Sequence, residues 1–481
     1  MSSSISKPSS GIIVTSAAAV AAVSAYFIIH KRRSNDTKRS KLPPMAKVGV
    51  FETLKAISAD PLFFVNLAEK LNSSYIYRLP IASILGYSHL VCVGEPKVAK
   101  AIFVDQSTIR PVAIYKAFDP VTFNTASIIS SDGEYWHSRR KGVAPAFATK
   151  HVKRMNEVAA TKVEEWIETK LSKYIQNDKA FDVGEEMISI TLSTIAEAAF
   201  EYKITDYEKQ MFLHESFLSF EEFGEKSFFN PFRPLFGFFL KERQRAFVAS
   251  SRLKEFALKI IDEYRNCENP TKDTIIERIV TNKAYENDEQ RAADVIILFI
   301  AGHDTTAYSI AWTLKELAKN PLEQQKLRDS LASSEQDKWH QSDVLRKIIK
   351  EAMRLHSVAA TGTVRVVKKD FISDSGSLIP KESLVFLPIN MAMCNSKVFD
   401  DANEFIPSRW DDPSEDMNDA FLPFAAGKQN CVGQSLANAE MHNVIPKICS
   451  KFELEVECEG ETRYNLTYQP YKTFLKAKHI N

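Results

Sequence analysis

FAAGKQNCVG, at residues Phe424–Gly433, is the stretch of this sequence that decides the fold. A helix is predicted to begin directly after it, near Gln434, so Cys431 lies just before a helix N-terminus. The free N–H groups and positive end of a helix stabilise a thiolate, and Gly427 and Gly433 allow the backbone to come close to a flat cofactor. The loop by itself fits two alternatives, a metal-binding sulfur and a buried structural cysteine in a turn.

Composition and cysteine usage narrow the class of protein. The chain has 481 residues, 44% of them hydrophobic and 26% charged, which is typical of a folded globular protein. Its formal net charge of +1 argues against a nucleic-acid partner, because phosphate binding needs a concentrated surplus of lysine and arginine. The six cysteines form no C-x-x-C pair, which predicts reduced thiols and no disulfide framework. They are Cys92, Cys267, Cys394, Cys431, Cys449 and Cys458.

The amino-terminal segment Gly11–Ile29 has no charged residue over 19 positions, which is nearly enough helix to cross a bilayer core. Six basic residues follow it by position 41 and one precedes it, so the positive-inside rule places the rest of the chain in the cytosol. A cleaved secretory signal and an organelle transit peptide are the alternatives. We expect residues 1–30 to be a membrane anchor, 31–47 a basic, proline-containing hinge and 48–481 one large folded domain.

The spacing of apolar residues predicts a mainly α-helical chain with a minor β region, in the α+β class. Helices are predicted at Glu95–Val104, Asp294–Asn320 and Asp343–Leu355, and from Gln434 onward. Short strands are predicted at Tyr75–Leu79, His89–Val93, Thr363–Val367, Leu384–Leu387 and Phe452–Val456.

The predicted helix Asp294–Asn320 changes abruptly from apolar to polar in its middle. Val295–Ile300 are all apolar, whereas Ala301–Thr306 read AGHDTT. A glycine at 302 weakens the helix locally, and a threonine hydroxyl can open the backbone hydrogen-bond ladder and admit water. These features fit a proton relay, and a solvent-facing polar turn is the alternative.

The cysteine loop resembles the haem-ligand signature of the cytochrome P450 family, F-x-x-G-x-R-x-C-x-G. The residues in register are Phe424, Gly427, Cys431 and Gly433. The resemblance, which covers nearly all of residues 48–481, implies the cytochrome P450 fold: one large helical domain with small β-sheets, and haem b (iron protoporphyrin IX) buried between two long helices. It makes Cys431 the iron ligand and residues 48–481 the haem-thiolate catalytic domain.

One position departs from this signature. Gln429 stands where the family usually has an arginine that supports a haem propionate. Glutamine can donate a hydrogen bond but carries no charge, so the resemblance implies a weakened propionate contact, compensated by neighbouring Lys428.

The segment AGHDTT resembles the family's oxygen-activation pattern, A/G-G-x-D/E-T-T, and so assigns Ala301, Gly302, Asp304 and Thr305 to the catalytic site. By this resemblance Thr305 is the alcohol that steadies dioxygen, and Asp304 is the acid that feeds protons. Family members without oxidative chemistry tend to lack this pair. The pattern therefore favours a monooxygenase over a haem-thiolate isomerase or dehydratase, and over a haem sensor.

Further motifs occur in the family's order. Glu351 and Arg354 are spaced i, i+3 on one helix face and, with Arg409 of the segment FIPSRW, resemble its structural Glu-Arg-Arg network. Trp410 stands where phenylalanine is commoner.

Two motifs resemble the family's propionate contacts. Trp136 and Arg140 match W-x-x-x-R, and Arg365 resembles a third contact. Each is weak by itself, because Trp136 is also typical of a core aromatic and Arg140 of a solvated charge.

The resemblance also bears on the substrate. The segment Phe212–Leu240 holds ten phenylalanines interrupted by prolines, and the equivalent region of the family roofs the substrate pocket. A lipophilic small-molecule substrate is therefore implied, with ordinary core packing as the alternative. Ile114–Phe123 and Val358–Val364 resemble other pocket-lining stretches.

Electrons are expected from a partner, because the sequence has no G-x-G-x-x-G nucleotide fingerprint. The implied partners are dioxygen and an NADPH-dependent reductase, a flavoprotein in the endoplasmic reticulum membrane or a ferredoxin in a mitochondrion or plastid. Arg139, Lys141 and Lys428 are predicted to form a basic docking face for it. The reticulum membrane, with a cytosolic catalytic domain, is the predicted location.

Overall fold

The computed structural model describes residues 42–480, except 50–51, 54–59, 61, 73, 228–232, 234–236, 238, 361 and 466. The predicted anchor at 1–30 and residues 31–41 of the predicted hinge lie outside the described residues. The end of the predicted hinge belongs to the folded domain. The Ala46 N–H donates to the Arg78 carbonyl at 2.9 Å, and the Arg78 N–H donates to the Pro44 carbonyl at 2.8 Å.

Helices supply most of the regular structure, as the apolar spacing predicts. The α-helices are α1 Phe63–Lys70, α2 Pro96–Val104, α3 Val112–Tyr115, α4 Gly133–Val143, α5 Thr149–Trp166, α6 Ser172–Gln176, α7 Val183–Phe200, α8 Asp206–Ser219, α9 Lys241–Asn266, α10 Ile275–Thr281, α11 Asp288–Lys319, α12 Pro321–Ala332, α13 Asp343–Leu355, α14 Ile389–Met393, α15 Glu415–Ala420 and α16 Gln434–Cys449.

The strands form small sheets of two to four strands. The strands are β1 Ile76–Arg78, β2 Leu90–Val93, β3 Phe181–Asp182, β4 Thr363–Val366, β5 Phe371–Ile372, β6 Leu378–Ile379, β7 Leu384–Leu387, β8 Phe452–Cys458, β9 Glu461–Asn465, β10 Thr467–Tyr471 and β11 Phe474–His479. The larger sheets have the orders β1-β2-β7-β4 and β3-β11-β8, and β9 pairs with β10 in an antiparallel hairpin. β2 and β7 run parallel, so distant parts of the chain meet in one sheet.

Helix α11 is the centre of the helical body. It packs against α7, α9, α13 and α16, and also against β8 and β10. Among the described residues it is the one helix long and apolar enough to cross a membrane, but 78% of its most apolar window is buried inside the fold. Its apolar character therefore reflects a core position.

The predicted helices and strands are confirmed, with shifted ends. Helix α13 has the predicted bounds, whereas α11 begins six residues before the predicted Asp294, because the side chain of Asn287 caps it by accepting the Gln290 N–H. The hairpin β9–β10 was not predicted. Its first strand is largely exposed and polar, so it lacks the apolar alternation that identifies a strand.

Candidate active site

A cavity of about 340 Å³ lies between α11 and α16. Eight of the twelve predicted site residues line it: Ala301, Gly302, Thr305, Arg365, Phe424, Gln429, Cys431 and Gly433. The other four, Asp304, Trp136, Arg140 and Gly427, are not part of the lining. The structure therefore brings the cysteine loop and the AGHDTT segment to opposite walls of one chamber.

Cys431 lies where its loop meets the start of α16. Its backbone N–H donates to the Phe424 carbonyl at 2.9 Å, which closes the loop. The thiol is exposed toward the cavity it lines, yet burial in dense packing raises its pKa. The N–H groups of Gly433 and Gln434 donate to the sulfur and, with the Arg140 charge, lower that pKa. The sulfur is thus prepared to bind a cation as a thiolate, because a coordinating metal deprotonates a thiol.

The glycines of the loop serve different purposes. Gly427 has φ +73°, and a Cβ there would lie 2.2 Å from the Phe103 carbonyl oxygen, so helix α2 requires glycine at this position. Gly433 has φ −82°, and a Cβ there would lie 3.9 Å from the Cys431 sulfur. Of the two, Gly433 is the one that leaves space next to the sulfur, and Gly427 lets the loop approach a neighbouring helix.

The opposite wall is the middle of α11. Ala301 is exposed toward the cavity, and the Thr305 hydroxyl donates to the Ala301 carbonyl at 2.9 Å. The helix is continuous through Gly302. A Cβ at Gly302 would lie 1.9 Å from Cδ1 of Ile195, so this glycine allows α7 and α11 to pack closely. This close packing, rather than a break in the helix, accounts for Gly302.

Asp304 points away from the cavity, toward the C-terminal hairpin. The Thr467 hydroxyl on β10 donates to its Oδ2 at 2.6 Å. Burial raises the pKa of Asp304 to about 6, and the Thr467 hydrogen bond acts in the opposite direction. A carboxyl group with such a pKa exchanges protons near neutral pH, as a proton donor requires.

Three guanidinium groups gather beside the cavity. Arg365 is buried and donates to the Val364 carbonyl at 2.8 Å, and Arg140 donates to the Asn430 side chain at 2.8 Å. Arg110 is the third, and sequence reasoning missed it. Burial lowers the pKa of Arg110, and the charges of Arg365 and Arg140 lower it further. The only signal in the sequence was a charged residue followed by Pro111 in the loop before α3, which is no motif by itself.

Arg110 is held on several sides. One terminal nitrogen donates to the Ile128, Ile129 and Ser131 carbonyls at 3.1, 2.7 and 2.9 Å. Its guanidinium carbon lies 5.9 Å from the ring centroid of the buried Trp136. Its Nε has no hydrogen-bond partner among the described residues. These contacts fix a cation next to the cavity and leave part of its donor capacity unused.

Gln429 contacts an acid of the chain. Its amide nitrogen donates to Asp132 Oδ1 at 3.2 Å, and its Oε1 is buried without a hydrogen-bond partner in the described part of the chain. Asp132 also accepts the Arg110 backbone N–H at 2.7 Å. Gln429 therefore connects the cysteine loop to the start of α4. The predicted compensation by Lys428 has no support here, because Lys428 is exposed and donates to the Gln106 carbonyl at 2.9 Å.

The donor groups of the cavity fit haem b. The hydrogen bonds described for the guanidinium groups of Arg110, Arg140 and Arg365 go to carbonyl, amide and hydroxyl oxygens, which are neutral, so these neighbouring cations suit an anionic ligand. The two propionates of haem would supply it, and the Cys431 sulfur would meet the iron. The chamber between α11 and α16 is the predicted position for that group.

The prediction of a basic docking face is wrong for one of its members, Arg139. It is fully buried, not exposed, and lies 3.5 Å from Asp294, which is also fully buried. Asp294 further accepts the Tyr285 hydroxyl at 2.7 Å and the Ile128 N–H at 2.7 Å. Arg139 therefore joins α4 to α11 and cannot contact a partner protein. Lys141 and Lys428, the other predicted members, are exposed.

The predicted contact between Glu351 and Arg354 is present, and both residues are fully buried. Arg354 donates to both carboxylate oxygens of Glu351 at 2.9 Å, and Arg409 donates to Oε1 at 2.8 Å. Trp410 donates through its indole N–H to Oε2 at 2.9 Å. Phenylalanine has no such donor, so tryptophan adds a hydrogen bond to the network at this position.

The described part of the phenylalanine-rich segment contributes no residue to the cavity lining. Within its described part, Phe212 and Phe223 are buried in the core, whereas Phe217 and Phe239 are exposed. The stretches predicted to resemble pocket walls contribute directly, the first through Tyr115 and the second through Val358, Ala359, Gly362 and Thr363.

Comparison with known proteins agrees with this geometry. A family model described as Cytochrome P450 matches residues 64–477. The chain is 27% identical over 406 residues to probable cytochrome P450 4e1 of Drosophila melanogaster, covering 77% of this chain and 74% of the relative. It is 24% identical over 451 residues to probable cytochrome P450 508C1 of Dictyostelium discoideum, covering 85% of this chain and 89% of the relative.

The fold is also that of a solved structure. The crystal structure of a cytochrome P450, CYP102L1, superimposes with a TM-score of 0.73 at 20% sequence identity. The match covers 88% of this chain and 99% of that one. The mainly α architecture with small sheets, predicted from the sequence, is thereby confirmed.

Proposed function

We propose, from the premise that this chain belongs to the cytochrome P450 family of haem b monooxygenases, that it inserts one oxygen atom of dioxygen into a lipophilic organic substrate. The observation that carries the proposal is the chamber in which Cys431 faces Ala301 and Thr305. Haem bound through a thiolate supplies the electron-rich iron that activates dioxygen.

The residues around this chamber have separate roles in the proposal. Cys431 is the metal ligand, and the N–H groups at the start of α16 stabilise its negative charge. Arg110, Arg140 and Arg365 hold the propionates. Thr305 is the alcohol that steadies dioxygen, and Asp304 supplies protons from the hairpin side of α11. Phe424 closes the cysteine loop by accepting the Cys431 N–H.

The nature of the walls supports a lipophilic substrate. The lining beyond the loop consists mainly of apolar side chains, such as Leu298, Val358 and Ile389. The charged lining residues are Arg110 and Arg365, and the proposal assigns both to the propionates. An apolar substrate would fill the remaining space, with threonine hydroxyls as its polar contacts.

The proposal includes an NADPH-dependent reductase as the electron donor and the endoplasmic reticulum membrane as the location, with a cytosolic domain. Exposed Lys141 follows Arg140 on α4, and exposed Lys428 lies three residues before Cys431, so both suit an acidic partner. The uncharged Gly11–Ile29 segment supports membrane attachment. A mitochondrial or plastid location with a ferredoxin is the alternative.

The carbon monoxide difference spectrum of the reduced protein tests the proposal. We expect the strongly red-shifted band of a thiolate-ligated haem, and we expect Cys431→Ser to abolish it. Cys458→Ser, at an exposed cysteine distant in sequence from the loop, is the matched control and should keep the band. Wild-type protein that binds haem without the red-shifted band would overturn the assignment.

A further inference from the structure

The contact between Asp304 and Thr467 joins two distant parts of the chain. The two residues are 163 positions apart, and their side chains meet where the middle of α11 packs against β10. Asp304 is outside the cavity lining, whereas its neighbour Thr305 is part of it. The carboxylate is therefore held on the side of the helix that faces the hairpin.

Thr467 is suited to hold a carboxylate in one orientation. It is 3% exposed, and its hydroxyl accepts a hydrogen bond from the Gln469 amide at 3.2 Å. Because Gln469 donates to the oxygen, the hydroxyl hydrogen is directed to Asp304 Oδ2 at 2.6 Å. A hydrogen bond to a carboxylate is charge-assisted, so it weakens when the carboxylate takes up a proton.

Charged groups lie around the helix turn that follows this contact. Tyr308 lies one turn after Asp304 on α11 and is influenced electrostatically by Asp304, by Asp182 and Glu185 near the start of α7, and by Arg463 on β9. Glu185 and Arg463 are exposed. Surface charges of α7 and of the hairpin therefore act on the turn of α11 that follows Asp304, whereas the hydroxyl of Thr467 is the group that contacts its carboxylate.

We propose that Thr467 is a positioning residue that holds the Asp304 carboxylate on the hairpin side of α11 and so sets the pH at which Asp304 supplies protons to the chamber. This inference rests on the proposed function. Asp304 receives one proton from hydronium ion, so its hydrogen bond to Thr467 weakens, and Thr467 keeps its own proton. When Asp304 gives that proton to a water molecule beside Thr305, it becomes a carboxylate again and its hydrogen bond to Thr467 regains full strength.

Infrared titration of the haem-loaded protein tests the holding contact. Asp304→Asn identifies the carboxylic acid C=O band of Asp304, whose midpoint in the wild type is expected near pH 6. Thr467→Val removes the hydroxyl and should move the midpoint upward by about one pH unit, a tenfold change in proton affinity. Thr467→Ser keeps the hydroxyl and should restore the wild-type midpoint.

Thr473→Val is the matched control. The Thr473 hydroxyl is also fully buried but donates to the Glu459 carbonyl at 2.8 Å, so its loss should leave the midpoint unchanged. A midpoint that Thr467→Val does not move, or that Thr473→Val moves equally, would contradict the proposal.

A second measurement asks whether the contact controls proton delivery. Reduced protein is mixed with oxygenated buffer, and the rate of haem reoxidation is followed against pH in water and in deuterium oxide. The pH at which reoxidation accelerates should move upward in Thr467→Val by the same amount as the infrared midpoint, with a solvent isotope effect. An unchanged pH profile would overturn the role of Thr467 in delivery. Failure of the proposed function is distinguished by the absence of the thiolate band, which these variants should all retain.

Discussion

At the scale of the residue, Ala425 holds an unusual backbone conformation in the cysteine loop. Its φ is +55°, in the left-handed region, whereas Ala426 beside it has φ −144°. A non-glycine residue in the left-handed region costs about 1–2 kcal/mol, and glycine avoids most of that cost. Ala425 also lines the cavity, so the strain lies next to Cys431.

Replacing Ala425 by glycine should therefore stabilise the protein. We expect Ala425→Gly to raise the free energy of unfolding by about 0.5–1 kcal/mol, because relief of the strain exceeds the entropy cost of glycine. Ala426→Gly, where φ is ordinary, should lower it by about 0.5–1 kcal/mol. Guanidinium denaturation of the two variants measures both effects, and equal effects of the same sign would show that φ at Ala425 is not the cause.

Arg110 should determine how firmly haem is held. We expect Arg110→Leu to fold but to lose haem to apomyoglobin at least several-fold faster, because a cation next to the propionates is gone. Arg346→Leu removes an exposed arginine of α13 and should leave the rate unchanged. If haem loss from Arg110→Leu matches the wild type, Arg110 does not contact the propionates.

At the scale of the element, buried ion pairs fix how the helices around the cavity are arranged. Arg139 on α4 and Asp294 on α11 are both fully buried, and Asp294 also binds the Ile128 N–H and the Tyr285 hydroxyl. Arg140, the next residue on α4, is one of the three cations beside the cavity. The buried pair thus sets the position of α4 relative to α11, and with it the position of Arg140.

Breaking this pair should cost far more than breaking an exposed pair on the same helix. Asp294→Ala leaves the Arg139 charge buried and unpaired, so the free energy of unfolding should fall by about 3–5 kcal/mol. Asp288→Ala breaks the pair that Asp288 forms with Arg265 at 2.7 Å. This pair is shorter than the Arg139–Asp294 pair but partly exposed, so its loss should cost less than about 1 kcal/mol. Denaturant unfolding measures the difference, and equal costs would refute the argument from burial.

At the scale of the whole molecule, one carboxyl group makes stability depend on pH. Glu440 on α16 is fully buried, and neither of its oxygens has a hydrogen-bond partner in the part of the chain that the structure describes. Burial raises the pKa of Glu440 well above its usual 4.5. A carboxyl group whose pKa is higher in the folded than in the unfolded state makes its full contribution to the free energy of unfolding below the unfolded-state pKa. This contribution is lost as the pH rises through the folded-state pKa.

The Glu440→Gln variant should remove this dependence. Above about pH 4.5 the wild type should lose up to about 1.4 kcal/mol of unfolding free energy per pH unit more than the variant, until the folded-state pKa is reached. Glu453→Gln, at an exposed position of β8, is the control and should leave the wild-type slope unchanged. Denaturation curves between pH 4 and 8 measure these slopes, and parallel slopes for wild type and Glu440→Gln would contradict the prediction.

The sequence by itself determined the class of fold, the position of Cys431 before a helix, the bounds of α13 and the AGHDTT segment on α11. These features are local, because residue spacing within one element fixes which side chains share a face and where a helix begins. The order of the motifs added the family, and the family model that matches residues 64–477 confirmed it.

Only the tertiary structure decided which charges face the cavity. Arg139 and Arg140 are adjacent in sequence, yet one is buried against Asp294 and the other lies near Cys431. Arg110 entered the site, and Asp304 turned to Thr467, through contacts between parts of the chain that are far apart in sequence. The burial and partner of a charged side chain depend on which elements pack together, and no local pattern encodes that packing.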